Sequence, residues 1–369
     1  MSVLAVAIKR RVADFALDVS FEAGDGVTGI IGPSGAGKST VLQTIAGLAT
    51  PDEGRVALDG EAFTDTARGV FLRPERRRIG YVFQDACLFP HMSVAQNLDY
   101  GARRRDAART VSRSDVVELL GLAPLLDRRP HRLSGGEAQR VSIGRALLSA
   151  PRLILMDEPL SSLDLRRRRE ILPFIEALHR SLKLPIVYVS HNIDEIVQLA
   201  DLVVVLHDGK VAASGDVATV LNRPEIQRLV LGEDTRDDPA AIVEARITRH
   251  DDTHNLSELG FGGAALTLTR LKLPIGASVR LRIHARDVAI ATERPQGLSI
   301  QNIVEAVVAE LRPAGSAQVD VRLSVAGTQG LTARITGRAV EQLGLAPGRK
   351  VWALVKSVAL AGDARPPAF

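Results

Sequence analysis

Nine residues, GPSGAGKST from Gly32 to Thr40, satisfy the spacing G-x-x-x-x-G-K-[ST] across Gly32, Pro33, Ser34, Gly35, Ala36, Gly37, Lys38 and Ser39. They follow an apolar run, VTGII, and precede a helix-compatible one, VLQTIAG. In that setting the glycines let main-chain N–H groups wrap a phosphate at a helix N-terminus. Lys38 neutralises the outer oxygens, and the Ser39 hydroxyl is placed to ligate magnesium. About 120 residues downstream, LILMDEP from Leu153 to Pro159 ends an apolar run in two acids. Asp157 can hold magnesium, directly or through water, and Glu158 can orient and polarise an attacking water. The pair of acids alone would be a weak signal, and the phosphate loop upstream makes it a strong one. Together they describe one site at which water attacks a bound phosphate.

The elements that must position these residues are legible as a rhythm. From Phe15 to about Glu233, short apolar runs alternate with longer amphipathic stretches, which predicts a mainly parallel sheet covered by helices. VTGIIG, LILMD and PIVYVS read as its buried strands, and VLAVAI, Val3 to Ile8, reads as an edge strand. Asp157 follows LILM and His191 follows IVYVS, and in open α/β sheets ligands bind at the carboxyl ends of strands. One shared site is therefore expected.

Composition narrows the alternatives. A length of 369 residues predicts two or three domains, and 46% hydrophobic with 24% charged residues is the make-up of a folded globular protein. The net charge of +4 is too small to argue for nucleic acid or an anionic membrane. Three arginine runs, Arg76 to Arg78, Arg103 to Arg105 and Arg166 to Arg169, read as solvated faces, since no aromatics interleave them for base stacking. The single cysteine, Cys87, excludes an intrachain disulfide and a multi-cysteine zinc site, as suits a reducing compartment. No apolar run approaches the roughly 20 residues of a membrane helix, so any membrane role would be peripheral.

Past Glu233 the composition changes. EDTRDDPA is a linker-like stretch, followed by period-two patterns with Gly and Pro turns, which predicts a second, β-rich domain. QVDVRLSV, Gln318 to Val325, puts Val319, Val321, Leu323 and Val325 on one strand face. LPIGASVRLRI from Leu273 and LAPGRKVWALV from Leu345 share a turn-then-strand pattern at an offset of 72 residues, either two similar units by chance or a pair of related small β-barrel units.

LSGGE, Leu133 to Glu137, runs into AQRVSIGRALL. With the phosphate loop, Gln84 in YVFQD, SSLD from Ser161 to Asp164 and His191 in VSHN, it closely resembles the nucleotide-binding subunits of ATP-binding cassette (ABC) transporters over about the first 230 residues. The resemblance implies an α/β P-loop NTPase fold of the ABC type that binds ATP with Mg2+. In it Glu158, His191 and Gln84 serve hydrolysis, and Ser39, Asp157 and Gln84 hold the metal. It also implies a homodimer in which ATP acts as adhesive. Leu133, Ser134, Gly135, Gly136 and Glu137 of one subunit then close on the nucleotide of the other, beside a connecting loop at Ser162, Leu163 and Asp164. The helix start at Ser134 exposes N–H groups able to grip a γ-phosphate. DACLFPHMSVAQNL after Gln84 is where this family receives a permease helix. The adenine partner stays open between Phe15, which is otherwise a core residue, and an arginine stack near Lys9 or Arg10.

SIQNI, Ser299 to Ile303, and VWALVKSVAL, Val351 to Leu360, look like the small molybdate-binding β domain at the end of molybdate-importer ATPase subunits, and the ATPase half has the look of that subfamily. The resemblance implies domains over 1–235 (nucleotide-binding), 236–290 (linker and first strands of an OB-like small β-barrel) and 291–369 (molybdate-binding-type β domain). Ser299, Gln301, Asn302, Lys356 and Ser357 are the implied oxyanion donors, with molybdate as a regulatory ligand; a dimerising β domain is the alternative. The expected function is ATP-driven import of molybdate or tungstate at the cytoplasmic face of the inner membrane. The expected partners are a membrane permease and, indirectly, a periplasmic or extracellular molybdate-binding protein, with no nucleic acid. An ABC importer for sulfate, iron or sugar is the alternative within the class, and an oxyanion sensor or storage module the alternative outside it.

Overall fold

A computed structural model of the chain describes residues 3–102, 112–161, 163–182, 184–231, 239–326, 329–356 and 359–360. It divides into two compact units, 1–220 and 221–369. The linker-like residues 233–238 and Arg103 to Arg105 lie outside the described residues.

The first unit runs β1 (Leu4–Val12), β2 (Phe15–Ala23), β3 (Val27–Ile31), α1 (Lys38–Ala46), β4 (Glu53–Leu58), β5 (Glu61–Asp65), β6 (Val70–Phe71), β7 (Ile79–Val82), α2 (Val94–Ala102), α3 (Arg113–Leu119), α4 (Gly135–Leu148), β8 (Leu153–Asp157), α5 (Leu165–Leu182), β9 (Ile186–Val189), α6 (Ile193–Leu199), β10 (Leu202–His207), β11 (Lys210–Asp216) and α7 (Val217–Leu221). Its strands form one 11-stranded sheet in the order β6-β5-β4-β1-β2-β11-β10-β3-β9-β8-β7. The three runs expected as buried strands are β3, β8 and β9, and every residue of each is buried, as befits strands covered on both faces.

Two expectations about this sheet are corrected. It is mixed rather than mainly parallel: β7, β8, β9, β3 and β10 run parallel, while β10–β11, β2–β1, β1–β4, β4–β5 and β5–β6 pair antiparallel. The tight turns at Ala13 and at Asp59–Gly60, both with positive φ, close hairpins that periodicity alone did not distinguish from crossovers. And β1 is interior, because β4 pairs along its far side from Leu4↔Leu58 to Lys9↔Glu53.

The arginine runs are also corrected, since not all are solvated. Arg77 is fully buried. Its guanidinium donates to Leu72 O (2.7 Å), Thr44 O (3.1 Å), Ile45 O (2.8 Å), Phe63 O (3.3 Å) and Thr64 Oγ1 (2.9 Å). Two of those carbonyls belong to the last turn of α1, where orphan acceptors need partners. Arg77 thus caps the helix that the phosphate loop opens and ties it to β5. Burial lowers its pKa to about 10. Gly47, which ends α1 at φ 78°, leaves the room: a Cβ there would lie 2.6 Å from the Arg77 guanidinium carbon.

The second unit contains α8 (Pro224–Leu231), β12 (Ala240–Asp251), β13 (Leu256–Phe261), β14 (Ala264–Thr269), β15 (Ser278–His284), β16 (Val288–Ala291), β17 (Asn302–Ala314), β18 (Gln318–Val325), β19 (Gln329–Thr336), α9 (Gly337–Gln342), β20 (Lys350–Val355) and β21 (Ala359–Leu360). Two five-stranded antiparallel sheets, β14-β13-β12-β15-β21 and β16-β20-β17-β18-β19, share one apolar core. In β18, Val321, Leu323 and Val325 are buried, as their alternation predicts.

The two sheets are repeats of each other. β12 carries a bulge between Ile247 and Arg249, and β17 one between Val308 and Glu310. Ile247 N donates to Ala277 O (3.0 Å) and Gly276 N to Ile247 O (2.8 Å); Val308 N donates to Arg349 O (2.9 Å) and Gly348 N to Val308 O (2.8 Å). Gly276 and Gly348 have φ of 89° and 87°. The final strands are exchanged: β16 leaves β15 to pair with β20, and β21 leaves β20 to pair with β15.

Replacing Arg77 by alanine should take a donor from four interior carbonyls, of which Thr44 O and Phe63 O keep Gly47 N and Leu72 N, and cost about 3–5 kcal/mol. Lysine should not restore it, because an ammonium cannot fork to α1 and β5 at once. Chemical denaturation of both variants checks this.

Candidate functional site

Three parallel neighbours, β3, β9 and β8, bring the sequence-predicted residues together. Ile30 pairs with Val189 and Asp157 also pairs with Val189, so the three strand ends lie in line. The chain leaves β3 into the phosphate loop, β8 into Glu158 and β9 into Ser190 and His191. Two cross-strand bonds extend the alignment past the sheet: Glu158 N donates to Val189 O (3.0 Å) and Ser190 N to Ile30 O (3.2 Å).

The loop itself needs its glycines. A Cβ at Gly32 would lie 2.1 Å from Leu206 O, and Gly37 has φ 95° with Leu17 Cδ1 2.7 Å from its Cβ position. Helix α1 starts after Gly37 with no side-chain cap, so its first N–H groups are left for an anion. Lys38 is buried, and its ammonium donates to Gly32 O and Pro33 O at 2.9 Å each, which folds the loop around it. Burial pulls the Lys38 pKa down, opposed by the nearby carboxylates of Glu158 and Asp157. Bound phosphate would oppose it further. Phe15 is half-buried, and its ring edge lies 3.1 Å from the Gly37 Cβ position, beside the loop.

Asp157 is buried, 9% exposed. The Ser39 hydroxyl donates to its Oδ1 at 3.0 Å, and the Tyr81 hydroxyl to its Oδ2 at 3.1 Å. Burial pushes its pKa up, the bonds from Ser39 and Tyr81 hold it down, Glu158 pushes it up and Lys38 lowers it. Tyr81, whose own pKa is raised by burial and by Asp157, is a site residue that the motifs did not reveal. The only signal was a hydroxyl inside the strand IGYV, directly ahead of Gln84. Ser39 and Asp157 offer hard oxygen donors in contact with each other, the chemistry that magnesium requires, so the residues fit that ion.

Glu158 sits at the mouth with φ 45°, a backbone strain held by its bond to Val189. His191 Nδ1 lies 3.1 Å from its Oε2. Gln84 is exposed, one residue beyond Phe83, whose carbonyl accepts from Gln139 Nε2 of α4 at 3.2 Å. Arg145 of the same helix donates to Cys87 O (2.8 Å) and Ala86 O (3.3 Å), so α4 grips the segment after Gln84.

The LSGGE segment stands apart. Ser134 caps α4 in a reciprocal box: its Oγ accepts from Glu137 N at 3.3 Å, and Glu137 Oε2 accepts from Ser134 N at 2.7 Å. That backbone bond lowers the Glu137 pKa, with Arg128 and Arg140 assisting. Gly135 is close to Leu163, 3.2 Å from its Cβ position, and Gly136 faces Ile171. Asp164 Oδ1 accepts from Arg167 N at 2.9 Å at the start of α5, and Ser162 lies outside the described residues. Among the described residues, no hydrogen bond or ion pair joins 133–137 to 32–40.

In the second unit the implied oxyanion donors divide. Asn302 spends its carboxamide on β14, Oδ1 accepting from Thr267 N (2.6 Å) and Nδ2 donating to Thr267 O (3.0 Å). Its side chain thus ties β17 to β14, and the amides around Gln301 and Asn302, rather than this carboxamide, are the expected donors. Gln301 and Lys356 are exposed, Ser299 is exposed in a turn before β17, and Ser357 lies outside the described residues.

Residues 16–161 match the ABC transporter family and residues 298–361 the TOBE domain. The chain is 48% identical over 358 residues to the molybdenum import ATP-binding protein ModC of Paramagnetospirillum magneticum, covering 96% of this chain and 97% of that one. It is 49% identical over 353 residues to ModC 1 of Azotobacter vinelandii, covering 95% and 96%. Among solved structures, a nucleotide-free ATP-binding cassette from an ABC transporter matches 63% of this chain and all of its own, with 27% identity and a TM-score of 0.53. The phosphate loop, the paired acids and the capped LSGGE helix are thus carried on a sequence related from end to end: this chain belongs to the ATP-binding subunits of ABC transporters, in the group of the molybdenum import ATP-binding proteins.

Proposed function

We propose that the chain hydrolyses ATP to drive molybdate import through a membrane permease, as a homodimer at the cytoplasmic face of the inner membrane. What carries the reading is the meeting of Glu158 and His191 at 3.1 Å beside the Ser39–Asp157 pair, in a chain matched almost end to end by molybdenum import proteins. No described helix is long and apolar enough to cross a membrane, which leaves translocation to a partner.

The loop N–H groups and Lys38 bind the β- and γ-phosphates, and Phe15, beside Gly37, stacks on the adenine in preference to Arg10. Ser39 and Asp157, with Gln84 reaching in, would hold magnesium, which supplies charge neutralisation on the phosphate oxygens. Glu158 accepts a hydrogen bond from water and aims it at the γ-phosphorus; the bond to the β-phosphate oxygen breaks, and ADP, phosphate and a proton are released. His191 holds Glu158 in place. The uncapped N–H groups at Gly135 and Gly136 serve a second chain's γ-phosphate, consistent with their separation from the loop of their own chain. A related ATP-binding cassette, 26% identical with a TM-score of 0.50, is described as a dimer in a post-hydrolysis state with ADP and phosphate. The differential affinity of ATP for the closed dimer drives the cycle, and the segment after Gln84, gripped by α4, passes the movement to the permease. In the second unit, Ser299, Gln301 and Lys356 remain as surface donors for a regulatory oxyanion, the reading that the resemblance of SIQNI and VWALVKSVAL supports.

Vesicles carrying the chain with its permease should take up molybdate and tungstate, but not sulfate, only with ATP inside; sulfate uptake instead would move the cargo assignment. Molybdate preloaded inside should slow uptake if the second unit regulates. Glu158→Gln should keep ATP affinity, run as an ATP-dependent dimer on gel filtration, and lose hydrolysis by about 100-fold or more. Asp157→Asn tests the metal assignment through stability. A carboxyl whose pKa is raised on folding contributes stability at low pH that is lost as pH rises through its folded value, so at neutral pH ionised Asp157 is a cost. The amide should raise the melting temperature of the nucleotide-free protein by about 2–4 °C and abolish further stabilisation by magnesium with ATP.

A further inference from the structure

The Glu158–His191 contact is bridged from behind by an ion pair between half-buried Arg168 and buried Glu195. Arg168 of α5 donates from Nε to Leu163 O at 2.8 Å and from Nη2 to Ser161 O at 3.1 Å. Its Nη1 lies 3.5 Å from Oε1 of Glu195, a carboxylate on α6 only 3% exposed. Glu195 Oε2 accepts from the Tyr188 hydroxyl at 2.8 Å and from Ser190 Oγ at 2.7 Å. Ser190 Oγ in turn accepts from Asn192 N at 3.0 Å, fixing the backbone on both sides of His191. On the other arm, Ser161 donates from N and Oγ to Glu158 O at 3.2 and 2.9 Å. The contacts close a circuit: Glu158, Ser161, Arg168, Glu195, Ser190, His191 and, through the 3.1 Å contact, Glu158 again.

A carboxylate this deep is expensive, and a buried ion pair adds little net stability over an apolar pair of the same size. Its contribution here is geometric. Arg168 holds the turn that follows Glu158, Glu195 holds the turn that carries His191, and the charge between them sets the separation of the two turns. Burial and the Glu195 charge push Tyr188 well above its usual pKa, so its hydroxyl remains a donor to Glu195.

We propose that Arg168 and Glu195 are positioning residues for hydrolysis, which hold His191 against Glu158 and pass any displacement of Ser161 and Leu163 to His191. The proposal rests on the reading of Glu158 and His191 as the hydrolytic pair.

The test is a double-mutant cycle on the full chain, with single-turnover phosphate release, KM for ATP and melting temperature as readouts. Glu195→Gln keeps the shape and an acceptor for Tyr188 but removes the charge facing Arg168. It should lower kcat roughly 10- to 100-fold, the penalty of a misplaced group, with KM within about twofold. In a His191→Ala background the same substitution should cost less than about twofold more, since His191 is already gone. Equal losses in both backgrounds, an unchanged kcat, or a raised KM at full kcat would overturn the proposal while leaving the site reading intact. A His191→Ala protein that hydrolyses normally would overturn both. If Glu195→Gln does not fold, Ser190→Ala removes the link between Glu195 and the turn carrying His191, the bond to Glu195 Oε2 together with the one from Asn192 N, and reads the same cycle, with the same outcomes deciding.

Discussion

The carboxyl of Asp157, held out of water at the end of a buried strand, is the constraint around which the first unit is organised. A charge there is tolerable only while both of its oxygens are bonded, which Ser39 and Tyr81 accomplish from two different elements. Ser39 belongs to the helix that the phosphate loop opens, and Tyr81 to the strand beside β8. The acid therefore fixes the loop against the sheet. Lys38 completes the arrangement with its positive charge turned inward onto its own loop carbonyls. Burial of both groups costs desolvation, which their mutual attraction and hydrogen bonds offset in part.

A second layer of polar contacts keeps this arrangement rigid. Arg77 locks the far end of α1, so that the helix is tied at its start through Ser39 and at its finish through a guanidinium. The ion pair of Arg168 and Glu195 does the same for the turns after β8 and β9. Gln139 and Arg145 extend the hold to the segment after Gln84. Arginine recurs because its planar fork can satisfy several carbonyls from separate elements, which neither lysine nor an apolar residue does.

The second unit answers a different constraint. A five-stranded antiparallel sheet leaves edges exposed, and the exchange of β16 and β21 between two repeated halves adds a strand to each sheet while joining both around one core. The matching bulges and the glycine turns at Gly276 and Gly348 curl each sheet at the same place. The periodicity of Leu273–Ile283 and Leu345–Val355 was the visible trace of this duplication.

The sequence by itself determined the local form of the candidate site, since the loop, the two acids and the LSGGE helix start each depend on local backbone geometry and fixed spacing: glycines where φ is positive, a serine cap with its glutamate three positions on. It likewise determined the buried strands β3, β8 and β9, whose apolar runs admit no other reading beside those motifs. The tertiary structure decided what depends on partners distant in the chain. The pairing of β1 with β4 made an interior strand of an expected edge. Arg77, buried, and Arg168, half-buried, were lost in runs that read as solvated faces and turned inward to donate to carbonyls 5–33 positions away. Tyr81 and Glu195 have no motif of their own, and Asn302 became structural only when β14 came alongside it. Hydrogen-bond satisfaction in a dry interior is a property of the assembled neighbours, and no local pattern of residue types encodes it.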